Sequence, residues 1–255
     1  MTGGVAVGAL AVALVTGVGA ARAQDFACAE PGGPSRSAAC LLERGLAAPA
    51  GARVEALATS WLGVPGLVTR ALCAGAAVRA VRCAVGVSQT GDATTGWSSA
   101  AAALATTAPS GGAALRAVAR RDADGAASGE FGAGAWLRAG PSAVVWASAP
   151  QLATSGAAPP LARGLALGVA VEQGGIGAWF ERAAPARVAD EAGTHAAGVV
   201  LRADPGRVWV EARGRPLRAG LGIAVGPIAV RAIGHPRLGD TVTIALSLPP
   251  ARATP

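Results

Sequence analysis

Val242, Ile244, Leu246 and Leu248 alternate with Thr241, Thr243, Ala245 and Ser247 in the last ordered run of the chain. A period of two is the geometry of an extended strand whose successive side chains point to opposite faces. The same unit, an alternating run and then a turn, recurs along most of the sequence. It predicts strands over 52–60, 67–76, 80–89, 96–106, 112–121, 130–139, 142–149, 162–172, 175–183, 194–203, 207–213, 217–225, 228–235 and 240–248. Glycines inside these runs, among them Gly75, Gly86, Gly132, Gly134, Gly168, Gly177, Gly198 and Gly222, weigh against helices. Ala-rich Ser98 to Leu104 is the segment where helix propensity competes most directly.

The connections sort by parity. Turns at 77–79, 107–111, 140–141, 173–174, 204–206 and 226–227 are short and carry Gly-Pro, Gln-Gly and Asp-Pro-Gly signals. The intervening connections at 90–95, 122–129, 150–161 and 184–193 are longer and more polar or Pro-rich, although 214–216 and 236–239 are short again. Tight turns on one rim and longer loops on the other are what a transmembrane barrel has. The expected fold is therefore all-β: an antiparallel up-and-down transmembrane β-barrel of about 14 strands (12–14). The alternative is a soluble periplasmic or secreted β-sandwich acting as a binding or structural module, since half-buried soluble sheets alternate too.

Charge placement favours the barrel. Apolar residues are 52% of the 255 and charged residues 15%, against about 25% in ordinary soluble domains. Val208, Val210 and Ala212 alternate with Arg207, Trp209, Glu211 and Arg213; Val81, Cys83, Val85 and Val87 alternate with Arg82, Ala84, Gly86 and Ser88. A charge facing lipid at mid-bilayer costs about 2–4 kcal/mol, so the charged face belongs inside. Candidates to line the lumen are Arg82, Arg116, Trp179, Glu181, Trp209, Glu211, Arg213, Arg218 and Arg231. They read either as a polar conduit or pocket, or as an internal ion-pair network filling a closed barrel. Aromatics are only 4%, with no Tyr, leaving Trp97, Trp136, Trp146, Trp179 and Trp209 as the strand residues available for an interfacial girdle.

Residues 1–23 read as a signal peptide: Val5 to Ala20 is apolar and shorter than a membrane helix, and Ala21-Arg22-Ala23 is a small-x-small cleavage site, although the n-region lacks a cation. Residues 24–51 are rich in Pro, Gly and Ala, with a short helix near Ala38 to Leu46; they read as a plug or lid, or as a loose terminus. The barrel follows over 52–248 and a tail over 249–255. Four cysteines suit an oxidising compartment. Cys28 pairs with Cys40 or stays free. Cys73 and Cys83, symmetric about Val78, face each other if 67–76 and 80–89 form a hairpin, as a disulfide or as thiols.

Short motifs suggest a family. Pro49-Ala50-Gly51 before strand-like Arg53 to Ser60 resembles the "NPAG" start of FadL-like barrels, including the PorV and PorQ group, with Ala48 in place of Asn. Trp61-Leu62-Gly63-Val64-Pro65-Gly66-Leu67 resembles the Gly-Leu-Pro-Glu-Leu-type segment that follows, and His235-Pro236-Arg237-Leu238-Gly239 resembles the "HPxLG" ending. The last strand departs from the pattern in ending at Leu248 without a terminal aromatic. The resemblance implies a fourteen-stranded outer-membrane barrel with a small N-terminal plug, for passage of small or apolar molecules or as an accessory of protein export. The expected partners are outer-membrane lipid, the barrel-assembly machinery and a small apolar ligand or secretion partner.

The +7 net charge comes entirely from arginines, because the chain has no Lys. They are scattered singly rather than set on one helix or stripe, so nucleic acid is not an expected partner. No HExxH, P-loop or GxSxG sequence occurs. His195, beside Asp190 and Glu191, is the one acid–histidine grouping, and His235 before Pro236 reads as a turn residue. No enzyme activity, cofactor or metal site is expected.

Overall fold

The structure, a computed structural model, describes residues 26–92, 96–156, 163–185, 194–214, 217–235 and 239–248. The expected signal peptide and C-terminal tail lie outside them. One helix, α1 (Ala38–Arg44), precedes fourteen strands: β1 (Arg53–Ser60), β2 (Val68–Val78), β3 (Val81–Thr90), β4 (Trp97–Ala108), β5 (Gly111–Asp122), β6 (Ala127–Arg138), β7 (Ala143–Gly156), β8 (Arg163–Gln173), β9 (Ile176–Pro185), β10 (Thr194–Ala203), β11 (Gly206–Arg213), β12 (Arg218–Val225), β13 (Ile228–His235) and β14 (Gly239–Leu248). Each strand pairs antiparallel with its neighbours, and β1 closes on β14 from Val54↔Leu248 to Ser60↔Val242. The sheet is a sealed barrel with no open edge, which rules out the two-layer sandwich.

Ser98 to Leu104 is strand, not helix, because it sits between β3 and β5 with a continuous ladder on both sides. Tertiary pairing overrides the Ala propensity. Connections at one end of the barrel, the turn end, are tight: two residues separate β2 from β3, β4 from β5, β8 from β9, β10 from β11 and β12 from β13. The opposite, loop end carries the longer links. The strands are taller on one side: β4, β5 and β6 have 12 residues and β7 has 14, against 8 in β1, β11, β12 and β13. The β6–β7 hairpin extends past the expected ends, taking residues 127–129 and 150–156 from the anticipated loops. A register shift between Phe131 and Ala133 absorbs Pro150, and the ladder resumes as far as Ser128↔Gly156. The bulge falls at Gly132, where a side chain would meet the Pro150 carbonyl at 2.5 Å.

The faces are inverted relative to a soluble protein. Leu72, Val85, Val87, Leu104, Leu115, Leu137, Leu167, Val210 and Leu221 are all more than half exposed on the outer wall. Arg82, Arg116, Arg120, Glu130, Glu211 and Arg231 are buried inside. Trp97, Trp136, Trp146, Trp179 and Trp209 are buried inward-facing residues too, so none of them forms an outer girdle. Their strand parity with Ser99, Gly134, Ser148, Glu181 and Glu211 dictates that placement.

Candidate functional site: the plugged lumen

The bore is occupied by the chain's own residues 26–48. Phe26, Leu41, Leu42 and Leu46 have no exposed surface, and Phe26, Leu41 and Leu42 pack with inward-facing Leu57, Cys73, Ala84, Ala101 and Val118. The segment is compact because its ends are capped locally. Ser37 is the N-cap and accepts from the Cys40 amide at 3.2 Å. Gly45, at φ 67°, ends the helix by donating its N–H to the Leu41 carbonyl at 2.9 Å; that left-handed turn favours glycine. A disulfide joins Cys28 to Cys40 and ties the arm at 26–34 to the helix.

The wall then grips both helix ends with matched charge. Glu55 of β1 accepts from the Ser37 hydroxyl at 2.7 Å and the Ala39 amide at 3.0 Å, placing a carboxylate where the helix exposes its N–H groups. At the other end Arg116 donates to the Glu43 carbonyl at 2.7 Å, the Ser148 hydroxyl to the Arg44 carbonyl at 2.5 Å and the Trp136 indole to the Ala47 carbonyl at 2.8 Å. Arg82 donates to the carbonyls of Ser35 and Ala48, both at 3.1 Å, and to that of Arg36, so it clamps the two arms of the plug together. Shape follows charge: a Cβ on Gly134 would lie 2.3 Å from the Gly45 carbonyl oxygen, and one on Gly86 would lie 2.8 Å from Leu42 and Phe26.

On the β8–β14 side the arm meets the wall, and Leu46 packs beside Trp179 and Ala196. Arg207 pairs with Glu30, and Arg231 donates to the Cys28 carbonyl at 2.9 Å. Arg231 also forks onto Glu211 at 2.6 and 2.7 Å, and Arg213 reaches the same carboxylate at 2.9 Å. Between this network and the plug lies a cavity of about 50 Å³, lined among others by Cys28, Glu43, Arg213, Arg231, Thr241 and Thr243. It has room for a few water molecules and no larger solute. The loop-end mouth is roofed by Ala27, Trp61 and Trp97, with the Arg120 guanidinium 4.7 Å over the Trp97 ring.

A second pattern floors the turn end. Trp136, Trp146, Trp179 and Trp209 each stand directly opposite a glycine on the adjacent strand: Gly112, Gly168, Gly198 and Gly222. The indoles lie flat over those glycines; a Cβ on Gly168 or Gly222 would come within 2.1 Å of the ring. Trp146 donates to Glu181 at 3.2 Å. The indole N–H groups of Trp179 and Trp209 are buried without an acceptor among the described residues. Each such group costs about 1–3 kcal/mol unless water reaches it.

All nine residues proposed for the lumen sit on the inner face. Arg82 and Arg116 hold the plug. Glu181, Glu211, Arg213 and Arg231 form the ion and hydrogen bonds already described. Trp179 and Trp209 floor the bore, and Arg218 is half-buried at the loop end of β12. Sequence reasoning passed over Glu55, Arg120, Glu130 and Ser148, and set Arg207 on the inner face without naming it as a lumen candidate. Parity with a neighbour would have found them: Arg120 shares a face with Arg116, and Glu130 with Trp136. Glu130 accepts from Arg116 at 2.9 Å and from Gln151 at 3.1 Å.

Cys73 and Cys83 do not face each other. The register pairs Cys73 with Gly86 and Ala76 with Cys83, about a two-residue turn at Arg79 and Ala80. Cys83 thus pairs three positions away from Cys73, at Ala76, and an odd shift in register puts the two cysteines on opposite faces of the sheet. Cys73 is buried in the bore and Cys83 is exposed on the outer wall. His195 is exposed on the outer wall and stacks on Phe180 at 5.9 Å, while Asp190 and Glu191 lie outside the described residues. No group of three metal-ligating side chains occurs among the described residues.

No protein-family model matches the sequence, and no curated protein matches it. Among solved structures, variants of the Rh. blastica porin match. One is 8% identical, with 77% of this chain and 98% of that chain covered at a TM-score of 0.43; another is 9% identical, with 78% and 98% covered at 0.45.

Proposed function

We propose that the chain is an outer-membrane β-barrel that works as a plugged channel for small polar solutes, exported by the signal peptide at 1–23. The observation that carries this is the inversion of polarity: aliphatic side chains cover the outside of a closed wall while arginines and glutamates fill its inside. That arrangement suits a bilayer around the barrel and water within it. Tight turns and both barrel termini share one end, which supports reading that end as the periplasmic one. With the plug seated, the cavity beside it on the β11–β14 side measures about 50 Å³, which supports a resting state closed to solutes. Carriage of apolar molecules and a part in protein export come from the FadL- and PorV-like motifs; the charged bore favours polar cargo over both.

Reconstitution of the full chain in lipid vesicles tests the reading. The wild type should pass little current. Replacing Arg82 and Arg116 by Gln, which releases the plug's carbonyls, should raise conductance severalfold in protein that still migrates as a folded barrel on an unboiled gel. Release of the wild type from membranes by salt alone would end the membrane reading. A folded but non-conducting double variant would end the channel reading.

A further inference from the structure

The outer wall is nearly free of charge, and its few exceptions are ordered. Paired residues on adjacent strands share a face. By that rule the outward-facing Arg, Asp, Glu and His residues of the strands, among those with described side chains, are Arg70, Arg121, Arg182, His195 and Asp240. Each lies within three residues of the loop end of its strand: Arg70 near Val68, Arg121 beside Asp122, Arg182 near Pro185, His195 beside Thr194 and Asp240 beside Gly239. The turn-end half of the outer wall is aliphatic instead, with Leu137, Ile176, Leu201, Val225, Ile228 and Leu248 exposed.

The three arginines are all exposed, and none has a hydrogen-bond or ion-pair partner among the described residues. This contrasts with the bore, where Arg116, Arg207, Arg213 and Arg231 each meet a carboxylate. Arginine at the edge of an apolar belt is stable when its stem lies along the hydrocarbon and its guanidinium reaches the headgroup layer. There the planar fork matches a phosphate in two hydrogen bonds. Arg70, Arg121 and Arg182 stand on β2, β5 and β9, spread round the circumference, and among the described outward-facing strand residues Asp240 is the one acid.

We propose that Arg70, Arg121 and Arg182 form a basic collar that binds the phosphorylated headgroups of the lipid around the loop end of the barrel. The collar rests on the outer-membrane reading, and it adds an orientation: the phosphate-rich leaflet lies at the loop end. Its apolar neighbours, Leu72 below Arg70, Phe180 below Arg182 and Leu167 opposite Arg182, take the acyl chains of the same lipid.

The test is lipid retention by the folded full-length barrel in detergent, read by native mass spectrometry. The probes are lipid A carrying two phosphates and the same lipid fully dephosphorylated. Wild type should retain the phosphorylated lipid at least tenfold better. The triple variant Arg70→Gln, Arg121→Gln, Arg182→Gln should lose that preference. Arg79→Gln, an exposed arginine in the turn between β2 and β3, should keep it. Equal retention of both lipids by wild type overturns the collar, as does a triple variant indistinguishable from wild type. An equal loss in Arg79→Gln reduces the effect to net charge and overturns it too. Displacement of the lipid by millimolar inorganic phosphate would assign a free-anion site instead. The unboiled gel separates the two readings. A chain that never forms a folded barrel fails both, whereas a folded barrel without phosphate preference fails the collar alone.

Discussion

At the scale of single residues the bore is defined by pairs that cannot be exchanged independently. The indole of Trp146 occupies the space where Gly168 has no side chain, and Trp209 does the same over Gly222. Gly168→Ala or Gly222→Ala should force the ring off its rotamer and cost about 1–3 kcal/mol, seen as a lower temperature for loss of the folded band on an unboiled gel. Gly51→Ala, with nothing within 4 Å of the added carbon, should leave that temperature unchanged. Arg116→Ala removes the cation paired with Glu130, whose carboxylate is 0% exposed. Breaking such a pair costs about 3–5 kcal/mol, so the urea midpoint should fall well beyond the loss seen with Arg138→Ala at the exposed turn end. Residue-level facts were legible where parity has a fixed origin. Trp209 and Glu211 went inward because Val208 and Val210 could only go outward. Cys83 was misplaced because nothing marks the hairpin centre: the left-handed residue is Arg79 rather than Gly or Asn.

At the scale of elements, the strands and the short helix near Ala38 were readable, and the seating of the plug was not. Strand limits followed alternation and Gly/Pro turns, and failed at β6 and β7, where Pro150 reads as loop but is taken up by a bulge. The plug has no period to read. What seats it is a set of wall side chains aimed at main-chain carbonyls, and carbonyls leave no mark in a sequence. Its docking nevertheless makes a sharp prediction. Gly134→Ala places a carbon against the backbone of Gly45 without altering any charge, and should lift the end of α1 from the wall. Conductance of the reconstituted barrel should rise while the folded band persists. Reducing Cys28–Cys40, or replacing both by Ser, removes a cross-link of a kind that contributes roughly 3 kcal/mol in a loop of this size. The arm at 26–34 should then become the first site of cleavage by added protease, ahead of any strand.

For the molecule as a whole, the sign of the response to surface substitution distinguishes a bilayer from water. Val210 is 56% exposed on the outer wall at the middle of β11. In a water-soluble sheet Val210→Arg would be near neutral; in a bilayer it should cost about 2–4 kcal/mol, measured as a shift in reversible folding into vesicles. Closure by β1 on β14 has a further consequence. The helix and its flanking arms are synthesised before any strand, yet they end up surrounded by a ring whose last seam joins the first and final strands. Once that seam is zipped, entry would mean passing a folded, disulfide-tied segment between the indoles of Trp61 and Trp97 at one mouth or those of Trp146 and Trp209 at the other. Seating must therefore precede the final zipping of that seam, and an occupant that arrives late would find the door already shut.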